Sequence, residues 1–571
     1  MHEDKLTPAD SLLDKTEPQR IDPPSQAGDP DLSIRPVQLQ KHPPCQAGCP
    51  NSGDIRGWLG VIAQHEKLGL SLETAYGQAW EKIVECNPLP ATLGRICPHP
   101  CETSCTRGDK DGAVAINALE RFLGDWGLEK ALPLPTTEEA ARSESVGVIG
   151  AGPAGLSFAY QMRRRGYPVT IYEKYSEPGG MLRYDIPGFR LPEAILAQEI
   201  QRILDLGIEL KVGIDVGRDI SLDELRSRHS ALFLGMGAQR SRRLGIPGER
   251  GPGAWSGIEY LRLRKCGAGV KLGGRVAVIG GGNTAIDAAR TARREGAEVT
   301  VLYRRTRAEM PAIAAEIEDA LIEGITIEFL VAPTAIIRER DAVRAIALQS
   351  MELGEADSSG RRRPVAIPGT EHQLMVDAVI VAVSQALDWG DLAHAPTSEG
   401  WVTTDANGKL DDQLWAGGDN RGPGIAGLAI AQGRHAAEAV HAELRGLPAQ
   451  DAASDDPIPR KQVKTDFYET QRPLVRPRRP AEQWLKQPDV EIDQTINSDE
   501  VRREAARCLS CGQCFGCQQC WMFCNAGGFF HLAEVKPGAY FALITDQCEG
   551  CGKCIEVCPS GFLSVSRGSA S

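Results

Sequence analysis

The chain contains 571 residues and carries a formal net charge of -12 at pH 7, with 42% hydrophobic and 25% charged residues. This length predicts about three or four domains of ordinary globular composition. The acidic balance argues against general nucleic-acid binding, and no apolar stretch is long enough to predict a transmembrane helix.

Residues 1–35 predict a mobile N-terminal segment because they are rich in Pro, Asp and Glu. The start, Met1-His2-Glu3-Asp4, lacks the apolar core of an export signal. We therefore expect a cytoplasmic protein, in which the cysteines do not form disulfides.

The cysteines are concentrated near the two ends of the chain. Of 17 cysteines, all except Cys266 lie in two terminal blocks. This distribution indicates two iron-sulfur modules on either side of a cysteine-poor centre. We predict that the first block lies in a helical iron-sulfur domain over residues 36–130. Its members are Cys45, Cys49, Cys86, Cys97, Cys101 and Cys105.

A first Gly-rich turn follows the apolar strand predicted at 146–149. Its glycines are Gly150, Gly152 and Gly155, and a helix and a second strand follow them. This order is the fingerprint of a βαβ dinucleotide-binding unit, in which the helix N-terminus receives a pyrophosphate. Glu173 ends the second strand, where it is expected to accept a hydrogen bond from a ribose hydroxyl.

A second Gly-rich turn of the same form follows the strand predicted at 276–279. It contains Gly280, Gly282, Asn283 and Ala285, with alanine at the third small position. The next strand runs into Arg304 and Arg305, where an acidic residue would hold a free 2'-hydroxyl. Guanidinium groups suit a 2'-phosphate, so NADP(H) is favoured over NAD(H).

A later segment, Gly417-Gly418-Asp419 followed by a small-residue helix, resembles the flavin-ribityl motif of flavoproteins that bind two dinucleotides. The resemblance implies that FAD occupies the first turn and that Gly418 and Asp419 contact it. An ordinary turn aspartate is the alternative for Asp419. The FAD domain is then predicted at 146–270 and 386–446, with the NAD(P)H domain inserted at 271–385.

Residues 447–500 predict a linker that suits an extended tether, because prolines and charged residues alternate there. Its arginines have two possible roles, either as a solvated surface strand or as a docking site for an acidic partner. They are Arg472, Arg476, Arg478 and Arg479.

The C-terminal residues 501–571 contain two copies of a Cys-x2-Cys-x2-Cys-x3-Cys run, and the second copy ends in Pro559. This spacing is typical of a ferredoxin-like domain with two [4Fe-4S] clusters, in which the fourth cysteine of each run binds the sister cluster. A zinc ribbon is the weaker alternative, because it usually separates its pairs by a longer spacer. The two runs are Cys514, Cys517, Cys520 and Cys524, and Cys548, Cys551, Cys554 and Cys558.

Residues 40–446 resemble the small (beta) subunit of glutamate synthase and its relatives. The appended ferredoxin domain further resembles the fused iron-sulfur flavoproteins found beside dissimilatory sulfite reductases or 2-oxoacid oxidoreductases. The turn at Ser384-Gln385-Ala386 departs from the family pattern. The likeness rests on Cys45-x3-Cys49-Pro50, Gly94-Arg95-Ile96-Cys97-Pro98, Cys101-Glu102, Cys105, Glu120-Arg121, Pro178-Gly179-Gly180-Met181-Leu182, Ile186-Pro187-Gly188 and Met310-Pro311.

The resemblance implies the ligands of the N-terminal clusters. One cluster would be held by Cys49, Cys97, Cys101 and the carboxylate of Glu120, whose alternative role is a surface partner of Arg121. The family also has a Cys-x2-Cys pair just before the position of Cys45, and this chain has none there. We hypothesise that Cys508 and Cys511 replace it and complete a cluster with Cys45 and Cys105. Four clusters are then expected, and three are possible.

The resemblance implies an α/β fold with two Rossmann-like domains, one inserted in the other, and an FAD-dependent NAD(P)H oxidoreductase. No cysteine lies between Gly150 and Arg264, so a redox-active dithiol beside the flavin is not expected. Electrons would pass between NAD(P)H, FAD and the clusters, in either direction. The partner would be a redox protein or ferredoxin in a hetero-oligomeric complex, such as a 2-oxoacid:ferredoxin oxidoreductase or a sulfite-reductase-like enzyme. The alternatives are a glutamate synthase small chain and a structural iron-sulfur scaffold.

Overall fold

The structure is a computed structural model that describes residues 35–137, 140–357, 360–388, 397–398, 400–448 and 456–566. The predicted mobile segment 1–35 lies outside the described residues except for Arg35. Among the described residues, no helix combines the length and the apolar character needed to cross a membrane.

Helices and parallel strands alternate through the centre of the chain, with a helical module before them and a small mixed module after them. In chain order the elements are β1 (Arg35–Gln38), α1 (Pro44–Ala47), α2 (Ile55–Ala63), α3 (Leu72–Val84), α4 (Pro90–Ile96), α5 (Pro100–Thr103), α6 (Ile116–Glu129), β2 (Val146–Ile149), α7 (Pro153–Arg164), β3 (Val169–Glu173), α8 (Met181–Tyr184), α9 (Glu193–Leu204), β4 (Glu209–Val212), α10 (Leu222–Arg228), β5 (Ala231–Leu234), β6 (Arg240–Ser241), β7 (Ala254–Ser256), α11 (Gly257–Lys265), β8 (Arg275–Ile279), α12 (Asn283–Arg294), β9 (Glu298–Tyr303), α13 (Ala314–Ile322), β10 (Thr326–Phe329), β11 (Val331–Glu339), β12 (Ala342–Ala356), β13 (Arg362–Ala366), β14 (His372–Met375), β15 (Ala378–Val381), β16 (Gln385–Ala386), β17 (Thr397–Ser398), β18 (Trp401–Val402), β19 (Leu414–Ala416), α14 (Ala426–Arg445), α15 (Ser498–Ala506), α16 (Gln519–Met522), β20 (Phe529–Lys536), β21 (Ala539–Leu543), α17 (Lys553–Val557) and β22 (Leu563–Ser566).

The N-terminal module packs α2, α3 and α6 around a shared apolar core. Two of its helices begin at good N-caps, because the side chains of Asp54 and Ser71 accept hydrogen bonds from backbone N–H groups of the first turn. The core includes the fully buried Leu119, and α15 from the C-terminal module contributes Val501 and Ala505 to it. The two ends of the chain therefore share one hydrophobic core.

The first nucleotide-binding domain has a parallel sheet in the order β19-β5-β2-β3-β4. Strands β2, β5 and β19 are buried on both faces, as in a doubly wound sheet, whereas the edge strand β4 is partly exposed. Strand β19 comes after the inserted domain and pairs with β5 from before it. The long helix α14 then packs against α7 and ends at Gly446 in the left-handed conformation.

The inserted domain has a second parallel sheet, in the order β10-β9-β8-β15-β7. Its edge strand β7 lies before residue 271, so the inserted domain begins earlier than the predicted boundary. The sequence hides this strand because it has only three residues. An antiparallel sheet of β11 to β14 covers one side of the domain. The two parallel sheets, the helical module and the ferredoxin-like end confirm the predicted fold class.

Residues 456–497, predicted as an extended tether, form a strap held against the other modules. Ile458, Trp484 and Ile492 are each less than 5% exposed. Arg476 donates a hydrogen bond to Asn117 at 2.7 Å, and Arg478 pairs with Asp319 at 2.6 Å. Some apolar residues of the strap are thus buried against the other modules, whereas Val475, which is 83% exposed, faces outward. Arg476 is thus partly buried against the N-terminal module, whereas Arg478 stays exposed at the surface while it pairs with Asp319.

The two ends of the chain are also joined by backbone hydrogen bonds. Strand β1 pairs antiparallel with β22, so that Arg35 lies opposite Ser566. The backbone N–H of Lys41 donates to Gly512 O at 3.0 Å, and that of Gly512 donates to Ser560 O at 2.7 Å. The C-terminal module therefore docks on the N-terminal module rather than hanging free.

Candidate active site and cluster sites

The two Gly-rich turns open into one cavity of about 1390 Å³. This exceeds the ~300–1,000 Å³ of a pocket for a single small ligand. Gly150 and Gly152 line one part of the wall, and Gly280 and Gly282 line another. The cavity thus has room for two dinucleotides, and both turns face this shared space.

The first turn has the geometry expected of a pyrophosphate site. Gly150 has φ 97°, and a Cβ atom there would lie 2.6 Å from the carbonyl oxygen of Gly235. The two carboxylate oxygens of Glu173 accept hydrogen bonds from the backbone N–H groups of Ala151 at 2.7 Å and Tyr175 at 2.9 Å. Glu173 was expected to bind a ribose. It holds the turn in place and also lines the cavity.

The other predicted flavin contacts lie against the same wall. Gly180 has φ 54°, and a Cβ atom there would lie 2.9 Å from the Cα atom of Gly152. Gly418 has φ 73°, and the carboxylate of Asp419 accepts a hydrogen bond from the N–H of Gly424 at 3.0 Å. Burial raises the pKa of Asp419. Gly155 lies one turn further into α7, where it is buried.

The second turn is supported from the segment that follows β9. Gly280 has φ 140°, and the side-chain oxygen of Asn283 accepts a hydrogen bond from the N–H of Ile313 at 2.9 Å. Ala285 is fully buried in α12, where a small side chain lets the helix approach the sheet. Asn283 therefore has a role in positioning the turn, and it also lines the cavity.

The two arginines after β9 differ in their surroundings. Arg305 is 5% exposed and donates hydrogen bonds to Asp357 at 2.8 Å and to the carbonyl oxygen of Arg362 at 2.7 Å. Arg304 is exposed at the cavity wall. Burial and the nearby charges of Arg305 and Arg361 lower the pKa of Arg304. Arg304 is therefore the guanidinium that can turn toward a bound anion.

A first candidate cluster site, group 1, comprises Cys49, Cys97, Cys101 and Glu120. Burial, the carboxylate of Glu120 and the thiol of Cys49 together raise the pKa of Cys97 to about 12. Burial also raises the pKa of Glu120 to about 7, against a hydrogen bond that Asn87 donates to it at 2.9 Å. The structure thus brings these four residues together.

A second candidate cluster site, group 2, comprises Cys45, Cys105, Cys508 and Cys511. Burial raises the pKa of Cys45, and the thiols of Cys508, Cys511 and Cys105 raise it further because they lie close by. Cys511 also lies 3.6 Å from the hydroxyl of Thr106, in the N-terminal module. Two cysteines from each end of the chain therefore face one another.

The guanidinium of Arg56 supports this arrangement. It donates hydrogen bonds of 2.6 Å to the carbonyl oxygens of Lys41 and Cys511, which belong to opposite ends of the chain. Arg56 is 3% exposed, and its charge opposes the rise in pKa of Cys45 and Cys508. A buried positive charge at this place favours thiolates over thiols.

The C-terminal module contains two further sites, group 3 (Cys514, Cys517, Cys520 and Cys558) and group 4 (Cys524, Cys548, Cys551 and Cys554). A small cavity is lined by all four cysteines of group 3. Burial, followed by the thiols of Cys524, Cys548 and Cys551, raises the pKa of Cys554 to about 12. The fourth cysteine of each run thus lies with the first three of the other.

In the described ranges, no set of three or more His, Cys, Asp or Glu side chains is arranged to hold one metal ion. Cys86 and Cys266 belong to none of the four groups, and Cys266 is exposed.

The sequence reasoning missed several charged residues of the cavity. Asp185, Arg190 and Asp287 all line it, and Arg190 pairs with Asp287 at 2.7 Å. The pair joins the loop after α8 to helix α12 of the inserted domain. No motif marks these positions, since a buried ion pair between distant segments has no local spacing. The departing turn at Ser384 and Gln385 also lines the cavity, where β16 pairs with β6.

Family models match three parts of the chain. A pyridine nucleotide-disulphide oxidoreductase model matches residues 144–433, which is half of the chain. A model described as dihydroprymidine dehydrogenase domain II, 4Fe-4S cluster, matches residues 35–132. A 4Fe-4S dicluster domain matches residues 513–562. Cys508 and Cys511 lie outside all three matches.

Three curated relatives show how far the likeness extends. The NADP(+)-dependent formate dehydrogenase subunit beta of Moorella thermoacetica is 36% identical over 82% of this chain and 70% of its own length. The NADPH-Fe(3+) oxidoreductase subunit beta of Geobacter sulfurreducens is 40% identical over 60% of this chain, which spans about half, 51%, of that relative. The glutamate synthase [NADPH] small chain of Escherichia coli is 32% identical over 74% of this chain and 96% of its own length.

The chain is therefore an oxidoreductase. It therefore belongs to the pyridine nucleotide-disulphide oxidoreductase family and, within it, to the iron-sulfur flavoproteins related to the glutamate synthase small chains.

Proposed function

We propose that this chain passes electrons between NADPH and a partner protein, by way of bound FAD and four [4Fe-4S] clusters. One observation carries the proposal: the cavity that holds both Gly-rich turns is also lined by Ile96 and Pro98, which flank Cys97 of group 1. A nucleotide site and a cluster site thus share a wall. When bound, FAD supplies the conversion between a two-electron hydride and single electrons.

The first turn would hold FAD. Its backbone N–H groups at the start of α7 would bind the pyrophosphate, because the helix N-terminus favours anions. Asp419 would accept from the hydroxyl groups of the flavin chain. The other residues proposed for this role are Gly150, Gly152, Gly155, Glu173, Gly180 and Gly418.

The second turn would hold NADPH. Arg304 would bind the 2'-phosphate, since Arg305 is already paired with Asp357. Arg305 would support it by fixing the loop after β9 and by adding positive charge nearby. The other residues proposed for this role are Gly280, Gly282, Asn283 and Ala285.

The spacing of the ligands supports a linear order of the four groups. Cys45 of group 2 and Cys49 of group 1 are four residues apart, so their Cα atoms lie within about 14 Å. Cys511 of group 2 and Cys514 of group 3 are three residues apart, which limits their Cα atoms to about 11 Å. Groups 3 and 4 exchange their fourth ligands. Electrons would therefore enter at group 1 and pass through groups 2 and 3 to group 4.

Group 4 is the proposed exit to the partner. Cys551 is exposed, and the apolar side chains of Trp521, Met522 and Phe523 beside Cys524 are at least 36% exposed. Such a surface suits contact with another protein. We infer a redox protein within a hetero-oligomer, of the kind that includes 2-oxoacid:ferredoxin oxidoreductases and sulfite-reductase-like enzymes.

Anaerobic titration of the holoprotein with NADPH tests this proposal. Bleaching of the flavin absorbance should be followed by the paramagnetic signal of reduced clusters, and NADH should be less effective. Iron and acid-labile sulfide should each reach about sixteen per FAD, against about twelve for three clusters. A flavin that NADPH bleaches while the clusters stay oxidised, although dithionite reduces them, would contradict the proposal.

A further inference from the structure

The carboxylate of Asp185 is buried in the wall of the nucleotide cavity without a hydrogen-bond partner. It is 5% exposed, and neither of its oxygens has a partner within the part of the chain that the structure describes. Leaving a buried carboxylate unpaired is costly, unless the group is neutral or meets a ligand. Because Asp185 lines the cavity, it is placed to act on what binds there.

Asp185 lies where the two nucleotide-binding domains meet. It ends the short helix α8, and its backbone N–H donates to the carbonyl oxygen of Met181 at 3.0 Å. The same helix begins at Gly180, which packs on Gly152 of the first turn. On its other side α8 contacts α11, which precedes the second turn. The carboxylate is thus positioned between the two proposed dinucleotides.

Three charged groups face Asp185 from the surrounding elements: Arg262 of α11, Asp287 of α12 and Asp419. Arg262 donates a hydrogen bond to the hydroxyl of Tyr175 at 3.0 Å, and Asp287 is paired with Arg190. The pKa of Asp185 is raised to about 8, chiefly by burial, with the charge of Arg262 opposing the rise and the carboxylates of Asp287 and Asp419 contributing to it. Asp185 therefore populates both protonation states near neutral pH, as a proton-transfer group requires.

For each NADPH that is oxidised, the proposed reaction releases one proton that must be carried away. Oxidation of NADPH breaks one C–H bond and yields NADP⁺, two electrons and one proton. The clusters carry electrons only, so the proton must leave the cavity by another path. In the opposite direction the same proton must be supplied.

We propose that Asp185 is the proton relay of the nucleotide cavity, taking up on a carboxylate oxygen the proton left by each hydride and passing it toward solvent. This inference rests on the proposed function. During NADPH oxidation an O–H bond forms on Asp185 as the electron pair leaves through the clusters, and that bond breaks when the proton is released. The reverse sequence serves NADP⁺ reduction.

Asp185→Asn in the full-length holoprotein tests the relay, with Asp185→Glu as the conservative variant. Asn keeps the size and polarity of Asp but does not exchange a proton. We expect the turnover number at neutral pH to fall by ~10²–10⁴-fold, the range of a lost acid-base group, and to be restored in part by Glu. The flavin reduction potential of the unmodified protein should change its slope against pH near 8, and Asn should abolish that change.

Two controls separate the possible failures. Asp412→Asn, at an exposed aspartate, should leave the rate and the pH dependence unchanged. If NADPH does not reduce the flavin of the unmodified protein, the proposed function fails and not the relay. If Asp185→Asn retains the pH dependence of the potential and raises only the KM for NADPH, Asp185 merely binds a ligand hydroxyl and the relay is overturned.

Discussion

At the scale of single residues, Arg304 and Arg305 have different roles although they are adjacent in the sequence. Arg304→Ala should raise the KM for NADPH ~10- to 100-fold, because a charged hydrogen bond contributes about 1.5–3 kcal/mol. The KM for NADH should stay nearly constant, since NADH has no 2'-phosphate. Steady-state dye reduction with each nucleotide measures both values.

Arg307→Ala is the matched control, because Arg307 pairs only with Glu318 at the surface among the contacts described here. It should leave both KM values unchanged. An equal rise in KM for NADPH and NADH in Arg304→Ala would exclude Arg304 as the 2'-phosphate ligand.

Glycines and cysteines were the residues that the sequence made predictable. A positive φ at Gly150 or a four-cysteine run has a local cause, and a local pattern reveals it. Asp185 and the Arg190–Asp287 pair have no such pattern, because their burial depends on segments about one hundred residues apart in the chain. Glu173 illustrates a middle case, in which the position was predicted but its bonds to the turn were not.

At the level of elements, helix α4 depends on a residue from another domain. Glu199 of α9 is fully buried and accepts hydrogen bonds from the N–H groups of Ala91 at 2.7 Å and Thr92 at 2.8 Å, in the first turn of α4. This carboxylate caps the helix that leads to Cys97. The segment before Cys97, whose sequence resembles that of the glutamate synthase small subunits, is therefore held in its conformation by a contact with the first nucleotide-binding domain.

Burial raises the pKa of Glu199 from 4.5 to about 7. Because the folded-state pKa is the higher one, its contribution to the free energy of unfolding is present below pH 4.5 and is lost as the pH rises through about 7. The loss amounts to ~3 kcal/mol. Glu199→Gln should remove this part of the pH dependence.

Urea unfolding of Glu199→Gln and of the unmodified protein at several pH values checks this. Gln also leaves one N–H of α4 without an acceptor, so the variant should be less stable at low pH by about 1–3 kcal/mol. Glu443→Gln, on the surface of α14, is the control. Parallel pH curves for Glu199→Gln and the unmodified protein would contradict the prediction.

The strap and the short strand β7 were the elements that the sequence described least well. β7 has three residues, too few to show a period, and it is defined by its partner β15. Within its described residues the strap forms three short 3-10 turns, whereas its composition predicted a tether. Trp484 of the strap is buried against Phe189, and such a tertiary contact cannot be predicted from composition.

For the whole molecule, a buried charged cluster fastens one end of the chain to the other. The carboxylate of Asp111 accepts hydrogen bonds from Arg107 at 2.8 Å and from Arg507 at 3.0 Å, and Arg107 donates to the carbonyl oxygen of Arg507 at 2.8 Å. Both arginines are at most 2% exposed. Asp111→Asn should therefore cost ~3–5 kcal/mol, as expected when one member of a buried ion pair is removed.

The hydrogen bonds from Arg107 hold the pKa of Asp111 below its ordinary value of 3.8. The contribution of this carboxylate to stability is thus present above pH 3.8 and is lost as the pH falls below it. Thermal unfolding should show a lower midpoint for Asp111→Asn at neutral pH, and a smaller difference in strong acid. Asp109→Asn, at an exposed aspartate nearby, should have little effect on the midpoint. An unchanged midpoint in Asp111→Asn would contradict the proposed role of this buried charged cluster in holding the two ends of the chain together.

Group 2 is proposed to take two ligands from each end of the chain, so we predict that removing its C-terminal ligands interrupts electron flow. In the double variant Cys508→Ser/Cys511→Ser, NADPH should still bleach the flavin, but the clusters of groups 3 and 4 should stay oxidised because the path between them and group 1 is broken. Dithionite should reduce them normally. Electron paramagnetic resonance after each reductant, together with a loss of about four irons per chain, measures this.

Cys266→Ser is the matched control, because Cys266 is exposed and belongs to no group. It should retain all iron and full reduction by NADPH. Complete reduction of groups 3 and 4 by NADPH in the double variant would show that electrons bypass group 2.

The assembly of group 2 from both ends of the chain has a consequence for biosynthesis. The ribosome makes Cys45 more than 460 residues before it makes Cys508 and Cys511. With the proposed ligands, group 2 would have only half of its set until translation is nearly finished, whereas group 1 would be complete once Glu120 has emerged. A prematurely terminated polypeptide would be a flavoprotein with no conducting route outward, so we expect iron insertion at group 2 to report that synthesis has reached the C-terminal module.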